Sequence, residues 1–100
     1  MRLIARSTLV AFWELHPEAK ASLEHWIMVV SKANWQNTNE IKASFSKAKV
    51  LNAERVRFEV SGGNYRLIVA FRFDIQIAFV KFIGTHKQYD AVDALTVSAF

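Results

Sequence analysis

Apolar residues recur at helical spacing through the first half of the chain and at every second position through most of the second half. Leu9, Phe12, Trp13 and His16 follow the i, i+3, i+4, i+7 pattern of an amphipathic helix, with Ser7 or Thr8 placed to cap it and a short strand expected over residues 2–5. Pro17 ends that helix and opens the next at Pro17-Glu18, because proline's missing N–H is not needed in a first helical turn. Ala19, Leu23, Trp26, Ile27 and Val30 give the second helix its apolar side, so the two helices form a hairpin. Asn34-Trp35-Gln36-Asn37 is a polar break, Thr38-Asn39-Glu40 starts a further short helix ending near Phe45, and Ser46-Lys47-Ala48-Lys49 reads as a loop.

From Arg55 the period changes to two, and the pairing of the strands can be worked out. Ser61-Gly62-Gly63-Asn64 is a hairpin turn that sets Val60 opposite Tyr65 and Phe58 opposite Leu67, whether the loop has two residues or four. An even-length loop at Asp74-Ile75 then pairs Phe71 with Ala78, Val69 with Val80 and Leu67 with Phe82. One face becomes wholly apolar, and the other collects Arg55, Arg57, Glu59, Arg66, Ile68, Ala70, Arg72, Ile77, Phe79, Lys81 and Ile83. Helices cannot roof that second face, because burying unpaired cations carries a large desolvation penalty. The expected fold is therefore α+β, a single domain over residues 1–100, with the N-terminal helical hairpin packed on one face of a small antiparallel β-sheet.

Composition narrows the function. One hundred residues, 52% of them apolar, suffice for one core and not for two. The absence of cysteine rules out disulfides, thiolate zinc sites and thiol catalysis, and suits a reducing cytoplasm. Met1–Arg6 is basic but leads into no apolar run, so no secretion signal is expected, and Trp26–Val30 is far short of the roughly 20 residues that cross a bilayer. A soluble cytoplasmic protein without a membrane partner follows. Thirteen basic residues against nine acidic ones leave a formal charge of +4, which favours a polyanion. The open sheet face, with cations between apolar side chains, is the combination that grips a phosphate backbone and stacks bases. Beside it, Gly84-Thr85-His86-Lys87-Gln88-Tyr89-Asp90 leaves the last strand, and a helical turn starting at Thr85 or His86 would put His86 and Tyr89 on one side. His16 and His25, on the helical hairpin, read as structural.

These segments resemble the HigB toxins of the RelE-like superfamily, the toxic halves of type II toxin–antitoxin pairs. The resemblance runs in order through Phe12-Trp13-Glu14 with His16-Pro17, Ala33-Asn34-Trp35, Gly63-Asn64-Tyr65-Arg66-Leu67-Ile68, Gly84 to Asp90, and Asp93-Ala94. It implies a RelE-like fold and cleavage of messenger RNA, in many relatives on the ribosome, with a HigA-type helix-turn-helix antitoxin as partner. His86 and Tyr89 fall on the family's functional positions, with Arg66 and Lys81 as phosphate and transition-state contacts. Glu59 stands where relatives often have asparagine, and Phe79 where they often have a hydroxylated aromatic.

The expected catalytic set is thus His86, Tyr89, Arg66 and Lys81, with Arg55, Arg57, Arg72 and Lys87 binding RNA and neither metal nor cofactor required. With no metal ligands at useful spacing, the economical reaction is attack by the substrate's own 2′-hydroxyl on the adjacent phosphorus, which needs a base, an acid and cations. The expectation depends on a register that bares Arg66 and Lys81 together beside His86 and Tyr89. A gyrase-poisoning member of the same superfamily would not need the His86–Tyr89 pair, and a non-catalytic RNA-binding module would need the basic face alone.

Overall fold

A computed structural model describes all 100 residues. Strand β1 (Arg2–Ile4) leads into α1 (Arg6–Leu15), a single 3₁₀ turn (Pro17–Ala19) and α2 (Lys20–Lys32), followed by α3 (Thr38–Ser44) and a short strand, β2 (Lys49–Val50). The meander is β3 (Arg55–Val60), β4 (Tyr65–Arg72) and β5 (Ile77–Thr85), and α4 (His86–Asp90) leaves its end. The sheet order is β1-β5-β4-β3-β2, antiparallel except for β1, which runs parallel to β5.

Strand parity decides where the helices go. Val56, Phe58, Val60, Leu67, Val69, Phe71, Ala78 and Val80 point to one side and are almost fully buried against Leu9 and Trp13 of α1 and Leu23, Trp26 and Val30 of α2. Phe58 sits at the centre of an aromatic cluster, with the rings of Trp26, Phe45 and Phe71 between 5.2 and 6.2 Å away. The helical hairpin leaves the other side of the sheet free, but α4 packs over one end of it, with Tyr89 against Phe82 and Arg57, and Ile68 and Phe82 are buried there. No helix is long and apolar enough to cross a membrane.

Three local expectations need correction. Helix α1 starts at Arg6 with Ala5 as its N-cap and no side-chain cap, so Ser7 and Thr8 lie inside the first turn. The chain turns straight out of β1, and the Thr8 N–H reaches the Ala5 carbonyl at 3.2 Å. Lys49 belongs not to a loop but to β2, an edge strand that pairs Lys49 with Arg57 and Val50 with Val56.

The third correction concerns register. Val60 pairs with Tyr65, Phe58 with Leu67, Phe71 with Ala78 and Val69 with Val80 as expected, but Leu67 faces Ile83 and not Phe82. Ile68 pairs with Phe82 and Val69 with Val80, leaving Lys81 as an extra residue on β5 without an opposite number. This bulge inverts the parity beyond it. Ile83 joins the core, and Phe82 turns to the open face beside Ile68.

At the far end of the open face the β4–β5 turn carries a bidentate ion pair, Arg72 Nε to Asp74 Oδ1 at 3.1 Å and Nη2 to Oδ2 at 2.9 Å. The hydrogen bond to Arg72 holds the Asp74 carboxyl below its ordinary 3.8, and the same bond raises the Arg72 guanidinium. Because the folded value is the depressed one, any stability from this pair is present above pH 3.8 and lost as pH falls through the folded value. A carbon-detected NMR titration should give Asp74 a midpoint below 3.8, and Arg72→Ala should move it back up. In the core, Phe58→Ala should destabilise the domain by about 3–5 kcal/mol in chemical denaturation, the usual range for a buried aromatic.

Candidate nucleic-acid interface and active site

The β3–β4 hairpin loop fixes the first cation. Ser61, Gly62 and Gly63 all have positive φ, at 55°, 69° and 94°, and the tight loop turns the Gly63 carbonyl toward Arg66, whose Nη1 donates to it. At φ 94° Gly63 adopts a backbone conformation that L side chains rarely take, while a Cβ there would only touch that same Nη1, at 3.4 Å. Arg66 is 8% exposed, the one charged residue of the buried set. Its neighbour across the ladder is Glu59, and Glu59 Oε1 lies 3.9 Å from both Arg66 Nη2 and Arg57 Nη2. One carboxylate therefore sits between two guanidiniums. The Nε–H groups of Arg57 and Arg66 are sealed from water with no acceptor, a costly state for charged groups.

Helix α4 brings the other partners. Thr85 and Gln88 form a reciprocal capping box, Gln88 N–H to Thr85 Oγ1 at 3.1 Å and Thr85 N–H to Gln88 Oε1 at 2.9 Å, and His86 N–H donates to the Asn64 carbonyl of the hairpin. Gly84 does not release the strand, which continues to Thr85; a Cβ there would lie 2.6 Å from Gln88 Oε1 and 2.8 Å from the Phe82 ring. Its smallness lets the cap and Phe82 pack over the end of β5. Half-buried Tyr89 then lies with its ring 6.4 Å from that of Phe82 and 5.9 Å from the Arg57 guanidinium, within cation–π range.

Arg57, Arg66 and Tyr89 thus gather at one end of the open face, together with Glu59 and Phe82. His86 starts the same helix but is exposed, with Nδ1 held 3.1 Å from Asp90 Oδ2, and Lys87 beside it is also exposed. Arg66 and Lys81 share the face without standing bare side by side: Arg66 is nearly buried in the hairpin, and Lys81 lies at the bulge with its Nζ 5.6 Å above the Phe79 ring. Arg55 is engaged by the C-terminal tail, its Nη1 donating to the carbonyls of Ala94 (3.1 Å) and Val97 (2.8 Å), while Ala99 N–H reaches the Lys81 carbonyl at 2.9 Å. The tail thus lies across part of the face that parity alone leaves open. Arg72 is held by Asp74 at the distant turn. His16 stacks on Phe12 and lies 3.4 Å from the Tyr65 hydroxyl, a packed position on the helical side, whereas His25 is exposed.

Sequence reasoning missed Phe82, Asp90 and the tail. The i, i+4 spacing of His86 and Asp90 signalled their pairing. Phe82 was hidden by the bulge, and the tail contacts depend on main-chain carbonyls that carry no sequence signature.

Comparison with known proteins is consistent with this arrangement. Residues 19–92 match the family model for the HigB toxin, described as the RelE-like toxic component of a toxin–antitoxin system. The chain is also similar to the mRNA interferase toxin HigB of Escherichia coli K12, at 28% identity over 98 residues covering 95% of this chain and 93% of that protein. The mRNA interferase HigB proteins of Escherichia coli O157:H7 and Shigella flexneri match to the same extent. The family match spans every residue gathered at the Arg57–Tyr89 end of the sheet, and this chain belongs to the HigB toxin family of RelE-like toxin–antitoxin components.

Proposed function

We propose that this toxin is an endoribonuclease that cuts messenger RNA at the Arg57–Glu59–Arg66–Tyr89 end of the open sheet face, acting in the cytoplasm and on the ribosome. The observation that carries the reading is the pair of guanidiniums sharing a single carboxylate, each with an unpartnered Nε–H, beside two aromatic rings. A phosphodiester supplies the missing negative charge, and flanking bases can stack on the rings. The name mRNA interferase carried by the relatives supports the same substrate.

No three histidine or acidic side chains converge anywhere on the chain. The proposed chemistry therefore uses the substrate's own nucleophile. The 2′-oxygen bonds to phosphorus as its proton passes to a base, the P–O5′ bond breaks, and an acid protonates the leaving oxygen, giving a 2′,3′-cyclic phosphate and a 5′-hydroxyl. Arg66 and Arg57 stabilise the charge building on the phosphorane. His86 serves as one of the proton-transfer groups, with Nδ1 3.1 Å from the Asp90 carboxylate and the exposed ring open to the substrate. Tyr89 orients the phosphate or shares the proton transfer. Lys87, Arg55, Arg72 and Lys81 contact RNA away from the cut. A HigA-type helix-turn-helix antitoxin would be the partner that silences this activity.

Single-turnover cleavage of end-labelled RNA, with and without ribosomes, tests the reading. His86→Ala should lower the rate by about 10²–10⁴-fold, and Arg66→Ala by about 10²–10³-fold, with products ending in cyclic phosphate. An unchanged rate in folded His86→Ala removes that residue from the scheme, and wild-type protein that cuts no RNA in either setting contradicts the function.

A further inference from the structure

The β3–β4 hairpin loop is gripped from the helical side of the sheet by residues that take no part in the chemistry proposed above. Ser61, the first loop residue, has φ 55°, a left-handed conformation that serine rarely takes. Its N–H donates to Ser22 Oγ of α2 at 3.1 Å, and its own Oγ donates at 3.0 Å to the carbonyl of Glu18 in the 3₁₀ turn. A residue in so sparsely populated a conformation persists where its surroundings hold it there. Just past the loop, buried Tyr65 donates its hydroxyl to the Glu18 carboxylate. His16 Nδ1 lies 3.4 Å from the same hydroxyl, and Phe12 stands edge-on to the ring. Glu18 thus holds both ends of the loop, one through its carbonyl and the other through its side chain.

The loop in turn holds parts of the site on the opposite face. The Gly63 carbonyl accepts from Arg66 Nη1. Asn64, whose N–H donates to the Ser61 carbonyl at 3.4 Å, offers its own carbonyl to the His86 N–H at 3.2 Å. Successive strand residues point opposite ways, so Tyr65 faces the helices and Arg66 the open side. One run of hydrogen bonds therefore leads from Ser22 and Glu18 through Ser61 and Asn64 to the start of α4. A second joins Glu18 to Tyr65, the residue beside Arg66.

We infer that Glu18 and Ser22 are positioning residues for the ribonuclease centre: they fix Ser61 and Tyr65, and the loop between these sets the Arg66 guanidinium and the first turn of α4. The inference rests on the ribonuclease reading for the reaction it serves. A cation or proton donor that must meet charge developing in the transition state loses effect when its direction wavers. Attraction of a resting polyanion depends on the charge and hardly on its aim. The signature of the clamp is a loss of rate without a loss of binding.

Ser22→Ala removes the acceptor for the Ser61 N–H, and Tyr65→Phe removes the hydroxyl held by Glu18 while leaving the ring in the core. In each, hydrogen exchange should show the His86 amide losing about tenfold of its protection, while the Phe71 amide, bonded to the Glu54 carbonyl at the other end of β4, keeps its own. Single-turnover cleavage at saturating RNA should slow by about ten- to a hundredfold, with unchanged affinity for a 2′-O-methyl RNA, which offers no 2′-hydroxyl to attack. Ser22→Thr retains the hydroxyl and should retain the wild-type values of all three. If Ser22→Ala does not fold, Tyr65→Phe decides the matter. Wild-type His86 protection or a wild-type cleavage rate in the folded variants would overturn the inference. So would Phe71 protection falling with that of His86, RNA affinity falling with the rate, or Ser22→Thr losing as much as Ser22→Ala, since each marks a general packing role. Wild-type protein that cuts no RNA, with His86 protection responding as expected, would instead contradict the ribonuclease reading and leave the clamp on the loop standing.

Discussion

The structure depends on the alternation of side chains along β3, β4 and β5. In β3 and β4 one set of positions is apolar and the other carries arginine, and β5 adds Lys81 outside the apolar set, so the helical hairpin packs on one side. Covering the second side with helix would strand several cations away from water, at a penalty that no ordinary packing gain offsets. The face left free by the helical hairpin, roofed only at one end by α4, is therefore a consequence of the same pattern that builds the core. Fold and proposed function share one physical origin.

On that face the protein keeps charge under tension. Arg66 is folded into the hairpin that Gly63 makes possible, Arg57 lies under the Tyr89 ring, and a single carboxylate serves both. Two positive groups with one negative partner leave an excess positive charge that an incoming anion can meet. The aromatic neighbours Phe82 and Tyr89 exclude water on one side, which strengthens electrostatic interactions there. The Arg72–Asp74 pair shows the contrast: a complete bidentate bridge at the distant turn, already satisfied and exposed.

Much of this was legible in the residues. Period-two alternation gave the faces, Ser61–Asn64 gave the hairpin register, and the helical hairpin and the turn at Thr85 followed from proline and helical spacing. What parity cannot reveal is where it stops. One unpaired residue at Lys81 exchanged the faces of Phe82 and Ile83, and nothing in the local sequence announces a bulge, because it answers to sheet twist and to the packing of α4. The tail is the second blind spot: its hold on Arg55 runs through the carbonyls of Ala94 and Val97, groups every residue possesses. Those two features divide the face that the pattern presents as continuous.

The most direct measurement of the central claim is an NMR titration of the guanidinium Nε–H resonances with a single-stranded RNA that carries 2′-O-methyl groups and so persists intact. If the under-partnered pair is where the phosphate lands, the Arg57 and Arg66 Nε–H signals shift with saturation, together with the Tyr89 ring, while Ala11, Leu15 and Met28 on the outer surface of the helical hairpin stay still. Saturable shifts on that helical surface with the two arginines unmoved would contradict the account.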